Sequence, residues 1–411
     1  MEENKKQVLK FPEGFLWGAA TSGYQIEGDS PACDWQEWER AGKTYGGKCG
    51  KACDYWNLWK GDHKLLEELE VKSFRLSIEW ARIEPREGEF SDVAINKYRE
   101  ILQDLKNKNI KTQVTLWHWV SPLWFSEKYC FHKKKSIKKF ESYSNKIIEE
   151  LGDLVDFWVV LNEPMVPLGM GYLKGGFPPG FKNIFKFFRA GNNLARAYKK
   201  TYKLIHKKYP EAKVGITYLY NWYEFKGLGF LGRAISRIVK WYRIDFFGNK
   251  IKKCQDYMGI DYYRLAEIIF DLKNSQILGF KIKDDQNNPM RWVTYARGLR
   301  LVLREAHKKY KKPIYIMENG TPTNQGIEDK SRIEFIDKHL VELNKAITEG
   351  IPVLGYNHWS LLDNFEWLEG YRPRFGLVEV DYKTLERKPR KSFYEYAKIC
   401  KNNEVDLTRP D

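Results

Sequence analysis

The sequence predicts a single closed (β/α)8 barrel of the α/β class, a TIM barrel, and three observations carry that reading. Eight short apolar runs recur along the chain, amphipathic helical segments lie between several of them, and chemically active side chains gather at the C-terminal ends of the runs. Continuous rather than alternating apolar character is what a parallel sheet covered on both faces requires. Counting runs does not separate a closed barrel from an open doubly wound sheet. The placement of the polar residues does, because a barrel carries its active site at the C-terminal ends of its strands.

In chain order the predicted strands are Phe15–Ala20, Ser73–Trp80, Thr112–Trp119, Phe157–Glu163, Lys213–Tyr220, Tyr257–Tyr263, Pro313–Glu318 and Val353–Trp359. The second carries Arg75 and Glu79, the third brings His118 near its end, and the fourth ends on Asn162 and Glu163. Tyr263 closes the sixth, Glu318 the seventh and Trp359 the eighth. Ala94–Asn107, Ser136–Leu151 and Tyr295–Lys309 mix charged and apolar residues at helical period. No repeat, low-complexity tract or Pro/Ser-rich linker interrupts the chain, so residues 1–411 are expected to form one domain.

Composition narrows the function classes. With 43% hydrophobic and 30% charged residues, the chain has the balance of a water-soluble globule able to bury a large core. No apolar run approaches the roughly 18 residues of a membrane span. The N-terminus, MEENKKQVLKFPEGF, is charged and lacks the apolar centre of a secretion signal, so a cytoplasmic location is expected. The formal charge of +16 raises the idea of a nucleic-acid partner. The lysines are dispersed, however, with small knots at Lys133–Lys135 and Lys311–Lys312 and no nucleic-acid motif, which reads as a solvated shell. Cys33, Cys49, Cys53, Cys130, Cys254 and Cys400 form no C-x-x-C pair and read as reduced thiols. Cys49 and Cys53 lack a following His or Cys pair, so neither a metal nor a cofactor is expected. The aromatic and basic stretch Phe225–Lys253 suits either membrane-surface contact or an outer barrel helix with its loop at an oligomer contact. The second reading is preferred.

Two glutamates stand where chemistry is expected. Glu163, in Leu161-Asn162-Glu163-Pro164, and Glu318, in Met317-Glu318-Asn319-Gly320, each follow an apolar strand and precede a chain break. Either one alone serves equally well as a solvated strand end. Two of them on the fourth and seventh strands suit hydrolysis of a glycosidic bond, which needs a proton for the leaving oxygen and a negative group facing the developing oxocarbenium carbon.

Seven segments in order then carry a resemblance: Phe15–Gly28, Arg75–Pro85, Thr115–Trp119, Leu161–Pro164, Ile260–Tyr263, Ile316–Gly320 and Trp359–Tyr382. Together they resemble glycoside hydrolase family 1, the β-glucosidase and β-galactosidase family. The resemblance implies an exo-acting retaining β-glycosidase working on a small carbohydrate, with Glu163 as acid/base and Glu318 as nucleophile. By the same analogy Arg75 and Tyr263 orient Glu318 and hold it ionised. Glu163 is expected to stay protonated through a less polar pocket and the charge of its partner.

The family pattern further implies that Gln25, His118, Asn162, Glu366 and Trp367 contact the hydroxyls of the nonreducing sugar. Trp359 would form the platform under the ring, Trp119 would lie close by, and Phe375 would line the wall. Asn162 is the amide suited to the 2-hydroxyl, a contact that strengthens in the transition state. Relatives acting on 6-phosphorylated sugars replace the carboxylate at Glu366, so its presence implies unphosphorylated substrates. A noncatalytic sugar-binding protein and a 6-phospho-β-glycosidase are the competing readings.

Two departures stand out. Asp261 occupies a position where the family usually has Asn, and it either adds negative charge beside the acid/base or is turned away and hydrogen-bonded. Met317 replaces the usual Thr before the nucleophile, which reads as a packing change.

Overall fold

The computed structural model describes residues 8–226, 229–270 and 280–408. The first seven residues of the charged N-terminal stretch, and Gly227 and Leu228 within Phe225–Lys253, lie outside the described residues. Strands form where the apolar runs stand: β1 (Leu16–Ala20), β2 (Ser73–Ser77), β3 (Lys111–Trp117), β4 (Phe157–Leu161), β5 in two pieces (Lys213–Gly215 and Thr217–Leu219), β6 (Met258–Asp261), β7 (Ile314–Asn319) and β8 (Val353–Trp359). All neighbouring pairs are parallel, running β4, β3, β2, β1, β8, β7, β6. The first piece of β5 pairs with β4 and the second with β6, so the sheet closes on itself through that one strand. The predicted (β/α)8 barrel is the observed one.

The strand starts differ from the sequence reading by one residue at most, and the larger differences fall at the C-terminal side. β2, β3, β4 and β6 stop two or three residues before their predicted limits, and Trp80–Ile83 is already a helical turn. The cause is visible in the backbone. Trp119 (φ 72°) and Glu163 (φ 38°) take left-handed conformations that cannot continue a ladder. At β7 a register shift between Ile316 and Glu318 resets the alternation just before the glutamate. Gly320 follows because a Cβ there would meet the Trp359 carbonyl, so β7 and β8 converge at the mouth.

Outside the barrel the helices bury one stripe each. Asp92–Asn107 buries Ala94, Ile95, Tyr98, Ile101, Leu102 and Leu105, and the Ser91 hydroxyl caps it by accepting from the Ala94 N–H. Ser136–Leu151 occupies the span its sequence predicts, and Ala296–Tyr310 lies one residue along from prediction. Met317 is fully buried beside Val159, Tyr257 and Tyr315, inside the barrel.

The connection from β5 to β6 contains more than the predicted helix and loop. Trp222–Lys226 pairs in parallel with Leu265–Phe270, which pairs antiparallel with Phe280–Ile282, making a small sheet beside the mouth. Helices Gly229–Lys240 and Phe246–Ile251 follow the first of these strands, with Phe230, Ile238 and Trp241 exposed. Among the described residues no helix is long and apolar enough to cross a membrane. The six cysteines are free, and Cys49 and Cys53 donate to the carbonyls of Tyr24 and Asp363.

Candidate active site

Arg75 reaches upward from the middle of β2 and is completely buried. Its Nη1 donates to Glu318 Oε1, its Nη2 to Asn162 Oδ1 at 2.5 Å, and its Nε to Thr115 Oγ1 at 3.2 Å. Tyr263, two residues beyond β6, donates its hydroxyl to Glu318 Oε2 at 2.5 Å. Both oxygens of Glu318 are therefore held, one by a charged donor and one by a phenol.

Asn162 is the hinge of the arrangement. Its Oδ1 accepts from Arg75 and from Thr217 Oγ1 at 2.7 Å, which fixes the amide orientation. Its Nδ2 then faces His118 and donates to Nε2 at 3.0 Å, leaving one N–H free. Burial, followed by the charge of Arg75, keeps the His118 ring neutral well below the usual histidine range. Trp119 Nε1 donates to the Asn162 carbonyl at 3.0 Å, and the Glu163 N–H donates to Thr217 Oγ1 at 3.0 Å. Several groups thus hold the Asn162–Glu163 backbone, whose left-handed residue alone costs on the order of 1–3 kcal/mol.

Glu163 has different company. It is 5% exposed, and its carboxyl is pushed well above the usual range by burial first, then by Asp261, and then by Glu318. Asp261, the last residue of β6, is fully buried. Carboxylate oxygens of Glu163, Asp261 and Glu318 lie within 4.8 Å of one another. Among the described residues this is the one grouping of acids close enough to share a cation. The surrounding donors favour a proton instead, because Arg75 and Tyr263 already occupy the Glu318 oxygens.

Above these acids opens a cavity of about 260 Å³. Gln25, His118, Trp119, Asn162, Trp359, Glu366, Trp367 and Phe375 all line it, together with Glu163, Tyr263 and Glu318. Gln25 Nε2 donates to Asn364 Oδ1 and the Phe365 carbonyl, which leaves its buried Oε1 unpartnered. Trp359 Nε1 donates to Glu366 Oε1 at 3.3 Å, and burial pushes the Glu366 carboxyl up to about 8. The Trp367 ring packs on Trp119 at 4.8 Å and lies parallel to Tyr24 at 6.0 Å. Such a site offers an aromatic floor, a few fixed polar atoms and two acids, the equipment for holding a pyranose over a reacting bond.

Every candidate site residue named from the sequence lines this cavity except Arg75, which sits directly beneath it. Glu79, read as a strand-end polar group, does not reach it. It folds back with Glu27, Glu39 and Arg82 around a separate cavity of about 160 Å³. Sequence reasoning missed Tyr45, Phe177, Asn221, Arg264 and Trp292 in the wall. Trp292 belongs to a segment without helical or strand period, so no sequence signal marks it; in the structure its ring packs on Tyr263 at 5.3 Å and on Phe375 at 5.9 Å, with the Arg264 guanidinium 5.3 Å over it.

Comparison with known proteins agrees with this geometry. The sequence profile of Glycosyl hydrolase family 1 matches residues 7–246 and 245–405. Beta-glucosidase A of Thermotoga maritima is 33% identical, over 97% of this chain and 99% of that protein. The structure superposes on the β-glycosidase from Pyrococcus horikoshii with a TM-score of 0.90 at 37% identity, covering 97% of both chains. Against the β-glucosidase from Thermotoga maritima in complex with noeuromycin the TM-score is 0.89 at 32% identity, covering 97% of this chain and 100% of the other.

Proposed function

Because the chain belongs to glycosyl hydrolase family 1, we propose that it is a retaining, exo-acting β-glucosidase with accompanying β-galactosidase and β-fucosidase activity. Its substrates are short β-linked saccharides or aryl and alkyl β-glycosides. That it is a glycoside hydrolase of the β-glycosidase type follows from membership and from its β-glucosidase relatives. The sugar, the stereochemical course and the residue roles are the proposal.

The unequal surroundings of two neighbouring carboxyls support it most. Oxygens of Glu163 and Glu318 lie within 4.8 Å, whereas an inverting pair stands about 6.5–9.5 Å apart to admit water between substrate and base. Glu318, held by Arg75 and Tyr263, presents an oriented oxygen to the anomeric carbon. Glu163, raised by burial and by neighbouring acids, holds a proton for the leaving oxygen. In the first step Glu318 bonds to the anomeric carbon, the bond to the leaving oxygen breaks, and the Glu163 proton moves to that oxygen. In the second, water attacks the same carbon, its proton passes to Glu163, and the ester electron pair returns to Glu318.

Gln25 Oε1, the spare N–H of Asn162, His118, Glu366 and Trp367 grip the hydroxyls in this reading. Trp359 carries the ring face and Phe375 closes the wall. A carboxyl at Glu366, where relatives acting on 6-phosphorylated sugars carry another residue, supports unphosphorylated sugars. A panel of p-nitrophenyl β-glucoside, β-galactoside, β-mannoside and their 6-phosphates tests the assignment. Turnover of the glucoside and galactoside is expected. Turnover of phosphates alone would overturn the substrate reading, and none at all would favour a noncatalytic sugar-binding protein.

A further inference from the structure

Asp261 stands at the end of β6, its Cα paired in register with Leu219 on one side and Glu318 on the other. Its side chain is completely buried, and neither carboxylate oxygen has a hydrogen-bond partner. An orphaned buried carboxylate of this kind is costly unless something nearby supplies a proton.

None of the donors around it is hydrogen-bonded to it. From β2, Arg75 gives its three donor nitrogens to Glu318, Asn162 and Thr115. From β5, Thr217 has one hydroxyl proton, which goes to Asn162 at 2.7 Å. Tyr257, on the same segment as Asp261, donates to the Trp158 carbonyl, and Tyr263 donates to Glu318. Arg243, from the β5–β6 connection, adjoins Glu163. The acids facing Asp261 are Glu163 from β4 and Glu318 from β7. Of these two acids, Glu163 is the one raised by Asp261 toward carrying a proton.

We propose that Asp261 is a positioning residue for the acid/base, its carboxylate accepting the Glu163 proton and remaining as the negative partner of Arg75 when Glu318 is esterified. The proposal rests on the β-glycosidase reading. In this assignment Arg75 is positive, Glu163 carries the proton and Asp261 accepts it; burial and Glu318 push the Asp261 carboxyl up as well, and the hydrogen bond from Glu163 works against that rise. Glycosylation moves the Glu163 proton to the leaving oxygen and turns Glu318 into a neutral ester, so Arg75 keeps a counter-charge through Asp261. In the second step the same charge makes Glu163 a stronger base toward water. That Asp261 outweighs Glu318 in raising the Glu163 carboxyl agrees with this picture. The asparagine usual at this position in the family provides no such charge.

The test is the pH profile of kcat/KM for Asp261→Asn beside the parent, on p-nitrophenyl β-glucoside. The alkaline limb should move down by about one pH unit, with the plateau within about tenfold of the parent. Superimposed limbs, or a move upward, would overturn the proposal. A second measurement serves if that variant does not fold. In the parent and in Glu163→Gln, both labelled with ¹³C at the side-chain carboxyls, the Asp261 resonance is followed against pH. A midpoint that changes on loss of the Glu163 proton supports the shared proton, and an unchanged midpoint sinks it. The titration needs no turnover, so it decides the matter even if the parent hydrolyses none of the panel and the β-glycosidase reading fails.

Discussion

Inside the barrel, below the mouth, Gln113 Nε2 donates to the Tyr315 hydroxyl at 2.8 Å, Asn357 Nδ2 donates to Gln113 Oε1 at 2.7 Å, and Ser73 shares a hydrogen bond with Tyr315 at 2.8 Å. At the mouth, by contrast, Gln25 Oε1, His118 Nδ1 and both oxygens of Asp261 are buried without partners, and Trp119, Glu163 and Trp367 hold left-handed backbones. The lower network satisfies itself and fixes how the strands pack. The upper one leaves groups open, at about 1–3 kcal/mol for each unmet polar group, and a ligand hydroxyl or a shared proton can complete it. A barrel can hold such a mouth because the layer beneath is closed.

The sharpest way to break this contrast is at Asn162, which belongs to both kinds of order. Asn162→Ala should lower kcat/KM by about 10²–10³-fold, since it removes a contact that tightens in the transition state. It should also lower the melting temperature, because Arg75 Nη2 and Thr217 lose their common acceptor. Equal activity in variant and parent would remove Asn162 from the site.

Gln113→Leu probes the lower layer alone. Denaturant unfolding should show a loss of about 1–3 kcal/mol, because Asn357 and Tyr315 each lose a partner. kcat/KM should stay within about twofold of the parent. A large loss of activity without loss of stability would mean that the two layers are not separate.

Glu366 offers the smallest effect and sharpens the comparison through pH. Burial raises its carboxyl from 4.5 to about 8, so between those values the folded protein keeps a proton that the unfolded chain releases. Its contribution is full below the lower value and is lost as pH rises through the upper one. Glu366→Gln removes that loss. Its melting temperature should exceed the parent's at pH 8, with the gap closing toward pH 5. A gap independent of pH would mean that Glu366 is not held protonated in the folded protein.

The barrel was legible because its strands are buried on both faces and largely apolar, which gives eight short runs whatever the loops do. Glu163 and Glu318 were legible for a local reason, as each ends an apolar run just before Pro or an Asn-Gly turn. The strand limits were not, since the left-handed turns at Trp119 and Glu163 arise from contacts across the mouth rather than from local residue preference. Glu79 stands inside the second predicted run, and the early end of β2 takes it to a separate cavity. Asp261 was visible as a departure, but its surroundings depend on where Arg75, Thr217 and Tyr263 have already given their protons. Those commitments run between β2, β3, β4, β5, β6 and β7 and cannot be read along one strand.

The account stands on two acids with different partners acting in turn on one anomeric carbon. Azide rescue of truncated variants tests this most directly. With an activated β-glucoside, Glu318→Ala should be nearly inactive and recover in azide to give the α-glycosyl azide, because azide enters the space the nucleophile leaves. Glu163→Ala should give the β-azide, by attack on the glycosyl-enzyme that Glu318 still forms. Interchanged products would exchange the two roles, and the absence of any azide product from either variant would contradict the double displacement itself.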